Sequence, residues 1–300
     1  MTGLKKYWPY YAMMLIPGVI IVLFRILPLY GLQIAWKDYY PRIGIEDSAW
    51  AGWKHFRSFL QSPTTGRVIR NTLWINFLKL LFGFPTPIML ALLFNAMTGK
   101  LFKRTMQTIS YMPQFLSWVI VYGFMYMLFN YNFGFVNKLI TALGGQSVNF
   151  LSNDKAVVPL IIFSHLWKTI GWSSIVYCAV LGNINPEYYE AASIDGANGA
   201  QKLFYITLPS LAFMMSIMFL MQLGWILFGD FEQNLMFMGS SPLLQAKAEI
   251  LETYIFNLSF NSVTGYSFAT VVSIFQSIFG TAMVIVANAV MRRVNGYSIW

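Results

Sequence analysis

The chain alternates long apolar blocks with short polar ones. Six apolar windows stand out, at 8–34, 72–97, 109–130, 156–182, 208–229 and 266–291. About 20 helical residues, rising 1.5 Å each, cross a hydrocarbon layer of about 30 Å. Each window therefore predicts a transmembrane helix. Three windows carry no charge, and the others carry one each, at Arg25, Lys79 and Lys168. The blocks, as in LIIFSHLWKTIGWSSIVYCAVLG, do not alternate apolar and polar positions as barrel strands do. Prolines and glycines inside the windows, such as Pro17, Pro85, Pro113 and Gly171, are compatible with membrane helices whose neighbours satisfy the freed backbone.

Between the fourth and fifth windows the pattern changes. Residues 190–209, EAASIDGANGAQKLFYITLP, are soluble in character. Asn185-Pro186-Glu187 predicts a helix start: Asn caps, Pro suits the first helical position, and Glu favours the positive end of the dipole. Gly196 supplies a positive-φ exit after about two turns, and Asn198 caps a second short helix that runs through Leu203 and Phe204. The predicted product is a helix-turn-helix at the membrane surface, over 183–209. A bare connection needs only a few polar residues, so an ordered hairpin points to a docking partner over a mere linker.

Composition agrees with a lipid environment. Hydrophobic residues make up 57% of the 300 positions and charged residues 10%, against roughly 25% charged in soluble domains. The net charge of +9 sits in loops and at span ends and forms no continuous stripe. Nucleic acid is therefore not an expected partner, and membrane lipid is. The run after Lys5 and Lys6 is too long for a signal peptide and lacks a small-x-small cleavage site, so it reads as a retained first span. Cys178 is alone, and His55 and His165 are far apart, so no disulfide framework or metal site is expected. Basic residues divide almost evenly between the two sides. The short TGKLFKRT turn and the Arg292-Arg293 pair place both termini in the cytoplasm. The WAGWKHFRSFL segment reads as an amphipathic element at the membrane interface.

No phosphate loop, nucleophile elbow, H-E-x-x-H or dinucleotide fingerprint is present. The only Gly-Lys pair, Gly99-Lys100, has Phe94 where a phosphate loop needs its first Gly and Leu101 where it needs Ser or Thr. No enzyme activity is expected, and a channel, a carrier or the membrane part of a larger machine remain.

Glu190-Ala191-Ala192, Asp195-Gly196-Ala197 and Pro209, nineteen positions after Glu190, resemble the EAA motif of binding-protein-dependent ABC importer permeases. The resemblance implies an all-α integral membrane fold: six transmembrane helices of the type I importer permease with a cytoplasmic coupling hairpin, as one domain over 1–300. It implies that the hairpin inserts into a cleft on an ATP-binding subunit and transmits its closure. Leu203 stands where an aromatic is often found, with Phe204 beside it, so either could be the apolar anchor. Further segments (PLYGLQIAWKDYYP, ALLFN, QTISYMPQFLSW, FEQNLMF, LETYIF and the terminal GYSIW) resemble the oligosaccharide branch of carbohydrate permeases. That branch implies a heterodimer with a second permease, two ATP-binding subunits that hold ATP and Mg, and an extracytoplasmic sugar-binding protein, commonly a lipoprotein. No cofactor is expected in this chain, and the implied location is the bacterial cytoplasmic membrane.

Sugar sites pair aromatic faces with amides and acids. Trp118, Tyr122, Tyr126 and Asn130 recur every four residues on one helical face. Lys168 and Trp172 lie four apart, and an ionisable group at mid-membrane should face a cavity or a partner. Gln222, Trp225, Asp230, Glu232 and Gln276 complete the candidates. Against each stands a plainer role: interfacial or packing aromatics, a Lys bonded to carbonyls, and solvated loop acids. The alternative function is a stand-alone secondary carrier or channel, which would need no docking hairpin and would usually carry an intramembrane acid or His chain.

Overall fold

The computed structural model describes residues 2–261 and 265–295, with side chains described over 6–260 and 265–293. The terminal GYSIW segment and the Lys5 side chain lie outside it. Among the described residues, the regular structure is helical apart from one two-stranded antiparallel pair, Lys37–Asp38 with Ala49–Trp50.

Two compact units are distinguished. The first comprises Met1–Thr65 and Tyr254–Phe275. It opens with the first span, Lys6–Trp36, none of whose apolar window is buried. An apolar window left unburied in this way needs lipid or another protein as solvent. The WAGWKHFRSFL segment forms the helix Lys54–Gln61, burying His55 and Phe59 and exposing Leu60. Asp38 accepts from Lys54 at 2.9 Å, and that hydrogen bond holds its carboxyl below the ordinary range. Ser267 joins the last helix to the strand pair, accepting from the Tyr39 amide at 3.0 Å and donating to the Lys37 carbonyl at 2.7 Å.

The second unit, Gly66–Thr253 with Gln276–Trp300, holds the remaining elements. By length and composition, four described helices can cross a membrane: Lys6–Trp36, Pro63–Ala96, Gly199–Gly224 and Gly265–Arg293. A bent pair, Lys100–Phe115 and Trp118–Phe129, makes a fifth if it counts as one span. The expected fourth window coincides with the helix Val157–Gly182, 26 residues long. Its apolar character is diluted by Ser164, Lys168 and Ser174, which it buries inside the unit.

Two boundaries differ from expectation. The third window is not a straight helix but turns by 106° at residues 112–117. Pro113 opens a short 3-10 turn there, and the Ser117 hydroxyl caps the following helix by accepting from the Ile120 amide. The fifth helix begins earlier than 208, running unbroken from Gly199 through a π turn at Leu203–Thr207, and stops at Gly224.

Within this unit Val157–Gly182 is the central element. Ile161 is fully buried with Ile75, Met125 and Met238 at one end. Tyr177 and Leu181 pack with Ile88, Ala91 and Leu211 at the other. Gly171 lies where Ser110 of the bent pair crosses, and a Cβ there would overlap the Ser110 carbonyl. Only glycine allows that approach.

Candidate functional site: an exposed hairpin and a polar cavity

The hairpin is built by local chemistry. The Asn185 side chain accepts from the Glu187 amide at 3.1 Å, and Pro186 begins a helix that ends at Ile194. Gly196, at φ 77°, then reverses the chain. Its amide donates to the Ser193 carbonyl at 3.1 Å and that of Ala197 to Ala192 at 2.8 Å, the two bonds of a Schellman ending. Asn198 and Gln201 form a reciprocal capping box, at 2.9 and 2.7 Å. Two contacts tie the arms together: Lys202 Nζ to Ser193 Oγ at 2.6 Å, and Tyr189 Oη to Thr207 Oγ1 at 3.0 Å.

Glu190, Ala191, Asp195, Gly196 and Pro209 are exposed, while Ala192 and Ala197 are half-buried at the turn. Leu203 is half-buried and lines an apolar pocket of about 510 Å³ with Met89, Leu92, Leu93 and Tyr189. Phe204 points away and is 62% exposed; Ile194 is 87% exposed.

A second feature is a cavity of about 660 Å³ in the same unit, lined by Asn76, Lys79, His165, Thr169, Gln222, Trp225, Asp230 and Glu252 among others. Asp230 is its hub. Lys79 Nζ donates to Asp230 Oδ2 at 3.1 Å and to Gln233 Oε1 at 2.7 Å. His165 Nδ1 lies 3.0 Å from the same Oδ2; a carboxylate only accepts, so this nitrogen carries the proton. Burial alone would push the Asp230 carboxyl up, but the His165 hydrogen bond and the Lys79 charge outweigh it and hold the group ionised.

Glu252 forms the opposite polar wall. Its Oε1 accepts from the Gly229 amide at 2.7 Å and from Gln276 Nε2 at 2.8 Å, and Gln276 also donates to the Leu227 carbonyl at 2.6 Å. Burial pushes the Glu252 carboxyl up. Its Oε2 is enclosed and accepts no hydrogen bond among the described residues. Asn76 donates to the Ile226 and Phe228 carbonyls, at 2.8 and 3.3 Å, fixing the turn that presents Trp225. An indole face, carboxylates and several amides are the kinds of group that bind a polyhydroxylated ring.

Of the sequence-derived path candidates, Gln222, Trp225 and Asp230 line this cavity, and Gln276 supports it through Glu252. The others lie elsewhere. Trp118 is buried against His165, its ring nearly parallel at 6.5 Å. Tyr122 meets Phe237 edge-on, and Tyr126 is half exposed beside Phe133. Asn130 ends its helix by accepting from the Asn132 and Phe133 amides. Trp172 is exposed against Phe115. Glu232 sits in the first turn of the helix Phe231–Met238. Lys168 is bonded to the Gln114 and Leu116 carbonyls.

Sequence reasoning passed over Asn76, Lys79, His165 and Glu252 as lining groups. The available signal was Lys79, the one charge in its window, which an intramembrane position obliges to have a partner.

Comparison with known proteins extends this picture. The chain is 36% identical to Protein LplB of Bacillus subtilis (strain 168), over 98% of this chain and 91% of that protein. It is 35% identical to the polygalacturonan/rhamnogalacturonan transport system permease protein YteP of the same organism, over 95% of this chain and 88% of that one. A chain of a bacterial alginate ABC transporter, solved in complex with its alginate pentasaccharide-bound periplasmic protein, superposes with a TM-score of 0.89. It shares 34% identity and covers 99% of this chain and 98% of its own. The family model for binding-protein-dependent transport system inner membrane components matches residues 83–298. With more than half its length matched, the chain belongs to the family of binding-protein-dependent transport system inner membrane components.

Proposed function

We propose that this chain is one permease subunit of an ATP-driven, binding-protein-dependent oligosaccharide importer, and that ATP energy reaches it through the 183–209 hairpin. The observation that carries the reading is the hairpin itself: capped at both ends, cross-tied, and presenting the exposed apolar side chains Ile194 and Phe204. An ordered, exposed apolar surface of this kind fits a protein partner. In this reading Glu190, Ala191, Ala192, Asp195, Gly196, Ala197 and Pro209 shape the dock, and Phe204, rather than Leu203, anchors it.

The partners are two ATP-binding subunits that hold ATP and Mg, a second related permease and an extracytoplasmic sugar-binding protein. The unburied first span suits a contact with the second permease and with lipid. Both termini are cytoplasmic, in the cytoplasmic membrane of a bacterium. The cavity around Trp225, Asp230 and Glu252 forms this subunit's share of the sugar route. The transported class is oligosaccharide, in keeping with the polysaccharide and alginate transporters among the similar proteins.

The test is uptake of radiolabelled oligosaccharides into proteoliposomes holding the complete assembly. Uptake that requires ATP inside and loaded binding protein outside supports the reading. Uptake that persists without ATP, driven by an ion gradient, contradicts it.

A further inference from the structure

The break in the third span leaves backbone groups that lipid cannot satisfy. Where the chain turns by 106° between Phe115 and Trp118, the carbonyls of Gln114 and Leu116 receive hydrogen bonds from Lys168 Nζ, at 2.7 and 2.6 Å. The same ammonium lies 5.3 Å from the centre of the Trp118 ring. An ammonium has three protons. Two go to carbonyls and the third faces an aromatic surface, a favourable cation–π position. No donor remains for a passing sugar. Lys168 is 8% exposed, which fits enclosure and not a channel lining.

Lys168 stands on the helix Val157–Gly182, which holds both halves of the broken span. His165, one turn before it, stacks on Trp118 at the start of the second half. Gly171, one turn after it, takes Ser110 of the first half at a distance that admits no side chain. The helix ends at Gly182, and the Asn185 cap of the hairpin follows within three residues. A displacement of the hairpin is therefore applied directly to the helix that carries the clamp. Packed elements pass on such a displacement as discrete rearrangements.

We propose that Lys168 is a positioning residue of the transport cycle: it clamps the break of the third span to the helix that leads into the hairpin, so that hairpin movement re-aims the Trp118–Phe129 segment. The inference rests on the hairpin being the point where energy enters. It places Lys168 outside the sugar site and gives a charged intramembrane residue a mechanical task.

The complete assembly in proteoliposomes tests it, with Lys168→Met and Lys168→Arg. Spin labels at Leu101→Cys and Met127→Cys, both exposed, report the angle of the break in a Cys178→Ser background. Lys168→Met is expected to keep ATP hydrolysis while sugar delivered per ATP falls about tenfold, the scale of losing charge-assisted hydrogen bonds. The label distances should broaden and cease to shift with ATP, and KM for the loaded binding protein should stay unchanged. Lys168→Arg, which can still donate to both carbonyls, should restore most of the coupling. Normal sugar per ATP in Lys168→Met overturns the proposal. So does a raised KM with unchanged label distances, which would make Lys168 a sugar ligand. Should Lys168→Met fail to assemble, Lys168→Gln, uncharged and one bond shorter, removes the ammonium and its two charge-assisted bonds while leaving a polar group there, and is read by the same criteria. A wild-type assembly without ATP-dependent uptake would instead overturn the transport reading, and that control separates the two failures.

Discussion

Leu203 and Phe204 are adjacent in sequence and opposed in space: Leu203 packs inward beside Leu92 and Tyr189, whereas Phe204 is 62% exposed. The hairpin thus uses one residue in its own packing and leaves the other on the surface. Phe204→Ala should leave the subunit folded and weaken its hold on the ATP-binding subunit. An aromatic anchor in a docking cleft is worth about 2 kcal/mol or more, close to a thirtyfold rise in Kd. Leu203→Ala should lower the stability of the isolated permease first. Co-purification of the ATP-binding subunit, beside thermal melting of the permease, separates the two effects.

Gly196 adopts φ 77° with open space around it. Steric crowding is therefore not the obstacle to substitution; backbone conformation is. Gly196→Ala should cost about 1 to 2 kcal/mol, and Gly196→Asp should add a charge at the dock. Both should reduce uptake while membrane insertion stays normal, measured by sugar delivered per ATP hydrolysed.

Lys79 and Asp230 are joined at 3.1 Å, with Lys79 buried and Asp230 partly open. Removing the cation alone leaves the acid with only its His165 hydrogen bond beside a polar cavity. Lys79→Met should destabilise the subunit by about 3 kcal/mol. Adding Asp230→Asn should recover part of the loss, because the orphaned charge goes with it. Thermal melting of the single and double variants measures the coupling; purely additive effects would show that the pair is not joined in solution.

Much of the hairpin was legible in the sequence because its determinants are local: Asn185, Gly196 and Asn198 act on amides within a few residues. The break in the third span carried a local mark too, in Pro113 and the Ser117 cap. Its 106° turn was not legible, because it is held by Lys168, more than fifty residues away. The cavity was harder still. Asn76 and Lys79 share one helix, but His165, Asp230 and Glu252 come from three other segments, and helical periodicity says nothing about which segments adjoin. Four-residue spacing put Trp118, Tyr122, Tyr126 and Asn130 on one face, yet the structure uses them for stacking, packing and helix termination.

Trp225 and Glu252 should govern sugar handling without touching ATP. Trp225→Ala removes a stacking face, and Glu252→Gln changes the acceptor whose Oε2 has no hydrogen bond among the described residues. Each should reduce uptake about tenfold, the worth of one aromatic contact or one charge-assisted hydrogen bond, with docking of the ATP-binding subunit intact. Equilibrium binding of that subunit, measured beside initial uptake rates, checks both halves of the statement.

The central claim is that the hairpin is where ATP energy enters, and Glu190→Lys tests it most directly. Glu190 is exposed on the hairpin's first helix, so reversing its charge should spare the fold. The measurement is the amount of ATP-binding subunit retained by the purified membrane complex, alongside sugar delivered per ATP in proteoliposomes. The account predicts normal insertion, with the ATP-binding subunit lost or its hydrolysis no longer tied to uptake. Full retention together with wild-type sugar per ATP would contradict it.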